Sequence, residues 1–247
     1  MDSFIFQAIL LLEFLLFFLG YGYSIPSFTE GYNLALLLLS FILPLVIWYS
    51  LKSIFIESLK TPFLEKSLMK FQNNVSVFKY LLSEQHAMLR LPLNMSIIEL
   101  GKSDSTNIIT IVTSPYCGAC FNIHTIADDI INENMDNVKC QFIFWATNRP
   151  NDKRGDFVRH LYSLDNHLRV NALEAWFSQQ YNFEEWQRAY PIQKISEKVF
   201  EIVEQHEKWC IESNTRFTPT VFINGHLLPD LYRFQDIKRI APYIFAK

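Results

Sequence analysis

An α/β fold set behind two apolar helices is the architecture this chain predicts, and three observations predict it. Residues 107–113, Asn-Ile-Ile-Thr-Ile-Val-Thr, form a β-branched run of the kind that fills a buried parallel strand. That run leads through Ser114-Pro115-Tyr116 into Cys117-Gly118-Ala119-Cys120, after which Ile123, Ile126, Ala127, Ile130 and Ile131 recur at helical spacing. Near the C-terminus, Thr220 to Leu228 reads as two short strands around Asn224-Gly225, a strong two-residue hairpin signal.

Taken in order, the chain begins with two runs that approach the ~20 residues needed to span a bilayer. Phe4 to Leu19 is apolar except for Gln7 and Glu13, and Leu34 to Tyr49 except for Ser40 and Pro44. Trp48 and Tyr49 end the second run as interfacial aromatics do. Asp2, with no Lys or Arg before the first run, argues against a cleaved signal peptide. Residues 1–50 are therefore expected to form two transmembrane helices. Residues 51–92 are expected to form an amphipathic stalk or linker helix, because Leu64, Leu68, Phe71, Val75, Phe78 and Leu82 repeat as a heptad seam, with Pro92 closing the segment. This short seam fits either a dimeric stalk or a helix lying on its own domain. Residues 93–247 are expected to be the folded domain. Its strands are read at Ile97 to Leu100, residues 107–113, Val138 to Ala146 and the hairpin. A helical insertion is read at about 151–214, with breaks near Asn166 and Pro191, and a last helix from about Phe234 to Ala246. From Ser96 onward there are 16 Lys/Arg against 19 Asp/Glu, so the whole net charge of −3 sits in this part. No basic patch or nucleic-acid motif accompanies it.

A strand running into C-x-x-C at the first turn of a helix places the leading sulfur beside unpaired backbone N–H groups, which favour thiolate over thiol. Cys117 is thus the expected nucleophile and Cys120, one turn deeper, the resolving thiol. A structural zinc site would need a second ligand pair, and the remaining cysteines, Cys140 and Cys210, stand alone. They read as buried free thiols, with a bridge between them the alternative. His124 lies one further turn along from Cys120, so a non-enzymatic copper or thiol carrier using Cys117, Cys120 and His124 is the alternative from a different class. The plainer reading of His124 is an ordinary polar helix residue. A reductive role is the nearer alternative to an oxidising one.

These motifs resemble known families. From about Ile97 to the end, the strand leading into Ser114-Pro115-Tyr116-Cys117-Gly118-Ala119-Cys120, together with residues 217–225, Phe-Thr-Pro-Thr-Val-Phe-Ile-Asn-Gly, is similar to the thioredoxin-like domain of the Dsb type. The two apolar runs, the stalk, the run Ala172-Leu173-Glu174-Ala175-Trp176-Phe177 and Trp209-Cys210 are similar to the C-terminal part of bacterial fusions joining a vitamin K epoxide reductase (VKOR)-like membrane domain to a thioredoxin domain. The resemblance implies a thioredoxin-like fold with a helical insertion and protein thiol–disulfide exchange as the activity. It implies that Pro219 lies against the redox pair and that the Thr218 backbone pairs with the client chain. With Tyr116 beside Cys117, these are the expected substrate-binding residues, and no metal ligand is assigned. No cofactor is expected beyond the redox-active Cys117–Cys120 disulfide. Expected partners are protein or peptide thiol and disulfide clients, membrane lipid and a separate membrane redox partner, a VKOR-like or other oxidase or a reductant. The fusions carry a further C-x-x-C beside a quinone in the membrane domain, whereas this sequence has no cysteine before Cys117. The apolar runs are accordingly read as an anchor, a remnant or fragment of that domain, without intrinsic quinone reduction. The expected location is a bacterial inner membrane with the redox domain in the periplasm, against the charge bias of Lys52, Lys60, Lys66 and Lys70.

Overall fold

In the computed structural model, residues 42–43, 45–52, 62, 64–133, 137–179 and 182–245 are described, and the chain divides into two compact units, Met1–Glu65 and Lys66–Lys247. In the first unit residues 45–52 are helical, with Leu45, Ile47 and Leu51 exposed. The first expected span, Phe4 to Leu19, and residues 34–41 of the second lie outside the described residues. Among the described residues, no helix is long and apolar enough to cross a membrane.

The expected continuous helix over 51–92 is corrected in the second unit. Residues 66–72 are helical, the backbone turns at 73–74, and α1 (Val75–Ser83) starts afresh. Asn74 causes the break: its side chain accepts from the Ser76 and Val77 amides, and such capping competes with helix interior. The heptad seam therefore never runs along one helix. Leu68 and Phe71 are exposed, whereas Phe78 and Leu82 are buried on the domain, Phe78 edge-on to Tyr232 at 5.0 Å.

The remaining elements follow as β1 (Ile98–Gly101), β2 (Asn107–Thr113), α2 (Gly118–Glu133), β3 (Val138–Phe144), α3 (Lys153–Ser163), α4 (Asn166–Gln179), α5 (Phe183–Ala189), α6 (Glu197–Glu212), β4 (Thr220–Ile223), β5 (His226–Leu227) and α7 (Phe234–Ile244). The five strands form one sheet in the order β1-β3-β2-β4-β5. Only β2 and β3 pair in parallel, joined by the crossover helix α2. The β4–β5 turn is the predicted one, with φ of 49° at Asn224 and 83° at Gly225, both left-handed. Asn224 also accepts from the Ile108 amide at 2.8 Å and so ties the turn to β2.

Alternation along the strands separates two apolar layers. On one face Ile109, Ile111, Cys140, Phe142 and Phe144 meet Ile126, Ala127 and Ile130 of α2 and Ile237 and Ile240 of α7. On the other, Val112, Ile143 and Phe222 meet Trp209 and Cys210 of α6. Cys140 and Cys210 are thus buried free thiols on opposite faces of the sheet, which removes the bridge alternative.

Among the described residues the insertion holds four helices, α3 to α6. The sequence reading missed the break between α4 and α5, although Asn182 and Glu185 form a capping box there. Gly155 lets α3 approach the end of the sheet, since a Cβ at that position would collide with the Thr147 carbonyl oxygen.

His206 braces α6 against the sheet. Its Nδ1 accepts from the Phe144 amide at 2.9 Å, so the neutral ring carries its proton on Nε2, which donates to the Ser96 carbonyl at 2.8 Å. Burial lowers its pKa to about 4, opposed by the Ser96 carbonyl, which favours the charged form. A depressed folded pKa stabilises above the unfolded value, near ~6.5, and that stability is lost as pH falls through the folded value. The stability difference between wild type and His206→Phe should therefore be greatest above about pH 6.5 and shrink by roughly 3 kcal/mol on approach to pH 4. Denaturant unfolding at several pH values checks this, and a difference independent of pH would refute it.

Candidate active site

The site is built where β2 ends. Thr113 is the last strand residue, Ser114 to Tyr116 make the turn, and α2 starts at Gly118. The Cys117 amide donates to the Ser114 carbonyl at 3.1 Å and the Cys120 amide to the Cys117 carbonyl at 2.9 Å, which winds the pair into the first helical turn. Cys117 is partly exposed and Cys120 fully buried. Burial, and next its hydrogen bond with Cys117, push the Cys120 thiol up to about 12. Smaller opposing pulls come from the Ser114 backbone and the Thr113 hydroxyl. One sulfur of the pair is therefore reachable from solvent, while the other is held as a neutral thiol beneath it.

Opposite Cys117 lies the loop before β4. The Cys117 Sγ–H donates to the Thr218 carbonyl at 3.3 Å, and the Thr218–Pro219 peptide is cis. Thr220 Oγ1 donates to the Phe217 carbonyl at 2.8 Å and holds this loop, leaving the Phe217 side chain exposed. Cys117, Cys120 and Thr218 thus come together in the fold, with Tyr116 and Pro219 their chain neighbours.

His124 does not join them as a third ligand. It is 3% exposed and sandwiched between the rings of Phe142, at 4.5 Å, and Phe177, at 3.5 Å. Its Nε2 lies 3.1 Å from Thr113 Oγ1, and burial lowers its pKa to about 3. Among the described residues no group of three or more His, Cys, Asp or Glu is placed to hold a metal ion. His124 is a neutral core residue that steadies the threonine touching Cys120.

Trp176 was legible only as part of a resembling run, yet it holds the active-site turn. Its Nε1–H donates to the Pro115 carbonyl at 2.7 Å, and its ring meets Tyr116 edge-on at 5.5 Å. Between the turn and the insertion opens a groove of about 950 Å³. Tyr116, Phe121, Trp176 and Phe183 supply its aromatic surfaces, and Lys153, Asp156 and Glu184 its charges. Nothing local marks these positions, because the groove exists only once the insertion folds back onto the turn at Pro115 and Tyr116.

A family model described as Thioredoxin matches residues 94–241, more than half of the chain. No curated protein matches. A periplasmic thioredoxin-like protein from Salmonella enterica serovar Typhimurium superposes with a TM-score of 0.53 at 12% identity, covering 64% of this chain and 94% of its own. The catalytic domain of Proteus mirabilis ScsC does so with a TM-score of 0.53 at 13% identity, covering 64% and 93%. Proteus mirabilis ScsC in a transitional conformation reaches a TM-score of 0.54 at 13% identity, covering 81% and 98%. At such identities these structures speak for the fold alone, while the family match includes both cysteines and the Thr218–Pro219 loop. With its Cys-Gly-Ala-Cys pair at the head of α2, the chain belongs to the thioredoxin family and is a thioredoxin-like thiol–disulfide oxidoreductase.

Proposed function

We propose that the protein is a membrane-anchored oxidoreductase that exchanges disulfides with protein or peptide clients through Cys117 and Cys120. The observation that carries this reading is the pairing of an accessible Cys117, 3.3 Å from the Thr218 carbonyl, with a buried Cys120 beneath it. In the oxidising direction a client thiolate attacks Cys117 Sγ, the Cys117–Cys120 bond breaks, and Cys120 leaves as a thiolate that takes up a proton. The client's second thiolate then attacks its own sulfur in the mixed disulfide. A client disulfide forms and Cys117 departs as thiolate, so two electrons pass from client to protein. The reverse sequence reduces a client disulfide. Client binding is assigned to Tyr116, beside Cys117 in the chain, and to Thr218 and Pro219 of the loop whose Thr218 carbonyl meets Cys117, and the redox pair serves without a separate cofactor.

The anchor reading rests on the apolar runs Phe4 to Leu19 and Leu34 to Tyr49 and on their resemblance to VKOR-like fusions. The redox domain would then face the periplasm of a bacterial inner membrane, where a disulfide persists. Recycling requires an electron acceptor. Residues 1–116 contain no cysteine and Cys140 and Cys210 are buried, so the chain depends on a membrane partner of VKOR-like or equivalent type. The test is to supply the purified, oxidised full chain with quinone and excess reduced dithiol peptide. About one turnover is expected, after which membranes containing a complete oxidase restart the reaction. Sustained quinone-dependent turnover by the chain alone would overturn the dependence on a partner, and no oxidation even in the first cycle would overturn the exchange reading.

A further inference from the structure

The groove opens beside Cys117, because Tyr116 and Gly118, its chain neighbours on either side, both line it. A client held through Cys117 must therefore pass a neighbouring side chain across the groove mouth. Strand-like backbone advances by about 3.3 Å per residue, so the side chain that reaches the mouth lies within about two residues of the client cysteine.

Two kinds of surface meet there. Tyr116 is exposed and Phe121 and Phe183 are half-buried, so their rings, backed by the buried Trp176, offer aromatic surface that attracts cations. The charged lining residues are two carboxylates, Asp156 and Glu184, against one ammonium, Lys153. Asp156 accepts from Arg159 through Oδ1, and Glu184 lies 3.7 Å from Arg188 in an exposed pair. The Asp156 charge nevertheless reaches the aromatic wall: burial first, and then the Asp156 carboxylate, raise the pKa of the Tyr116 phenol.

We propose that this groove selects clients carrying an arginine or lysine within about two residues of the reactive cysteine. The alkyl stem lies along the rings, and the charged head meets Asp156 and Glu184. This inference rests on the exchange reading. A cation over an exposed ring and an exposed ion pair are each modest contributions, so the expected preference is roughly five-fold in rate.

The test uses the full chain carrying Cys120→Ser, so that the mixed disulfide on Cys117 is not resolved. Single-cysteine peptides are supplied with the cysteine activated as a thionitrobenzoate disulfide. Attack by the Cys117 thiolate forms the Cys117–peptide disulfide and expels the coloured thionitrobenzoate anion, which reports the second-order rate. The peptides differ only at one flanking position, occupied by Arg, Leu or Glu, and each flank is scanned in turn. At one flank the Arg peptide should react about five times faster than the Leu peptide, with Glu slowest. The advantage should fall in Glu184→Gln and Asp156→Asn, rise in Lys153→Gln, and shrink as salt is raised. Glu184 is exposed, so its variant reports on the groove even if the Asp156 variant folds poorly. Equal rates for Arg and Leu at every flank, or a faster Leu peptide, would overturn the groove inference and leave the exchange reading intact. Failure of every peptide to react would overturn both.

Discussion

Cys117→Ser should eliminate turnover, while Cys120→Ser should accumulate disulfide-linked adducts between Cys117 and client proteins. The two outcomes differ because the two sulfurs occupy different surroundings within one helical turn. Cys117 is reachable and faces the Thr218 carbonyl, so its loss leaves no thiol able to meet a client. Cys120, Cys140 and Cys210 are buried, and burial is the leading cause that raises each of their thiols, Cys120 and Cys210 to about 12. At pH 7 a thiol titrating there is thiolate in roughly one molecule in 10⁵, too little for attack on a free client. Once Cys117 holds a client, however, Cys120 lies against that disulfide, and its proximity outweighs its small thiolate fraction. Removing Cys120 thus blocks only the second step and leaves the adduct standing. Alkylation of the reduced protein at pH 6, followed by peptide mapping, should label Cys117 first. Faster labelling of Cys120 would show the roles to be reversed.

Trp176→Ala should cost about 3–5 kcal/mol of stability, a large share of the ~5–15 kcal/mol of a typical domain, and should depress turnover of the protein that remains folded. The indole is 3% exposed, and its ring packs against Phe157 at 4.7 Å and Trp186 at 5.9 Å. Its N–H is the partner of the Pro115 carbonyl, so truncation opens a cavity and also unfastens the turn that positions Cys117. Trp176→Phe separates these effects. It keeps most of the ring contact, loses the hydrogen bond and should cost only about 1–3 kcal/mol for the unsatisfied carbonyl. Chemical denaturation with single-turnover kinetics on both variants reads the two contributions. An Ala variant that unfolds within about 1 kcal/mol of wild type would mean that the insertion does not hold the active-site turn.

The placement of the cysteine pair was readable without any tertiary information, since it is set by neighbours in sequence. A β-branched run, a turn beginning with Ser-Pro and a periodic apolar helix oblige the two cysteines to sit at the helix start. The Asn224-Gly225 turn was equally local, because two successive left-handed residues are what that dipeptide tolerates. The stalk misled for a physical reason: heptad spacing was counted across Asn73-Asn74, where a side-chain cap competes with helix propagation. His124 could have been ligand or core on spacing alone. Its aromatic neighbours Phe142 and Phe177 lie on another strand and in the insertion, and no local pattern announces them.

By itself, then, the sequence determined the strand, turn and helix that carry Cys117 and Cys120, the terminal hairpin and the apolar character of the N-terminal runs. Each of these depends on backbone preference or hydrophobic period within about a dozen residues. Only the tertiary structure decided what surrounds the sulfur: Thr218, 101 residues downstream of Cys117, brought to its side, and Trp176, 61 residues from Pro115, clamped onto the turn. The aromatic groove and the burial that separates the two thiols belong to this second class. They arise from chain segments distant in sequence that meet because burying their apolar faces together stabilises the fold, and no single segment encodes that meeting.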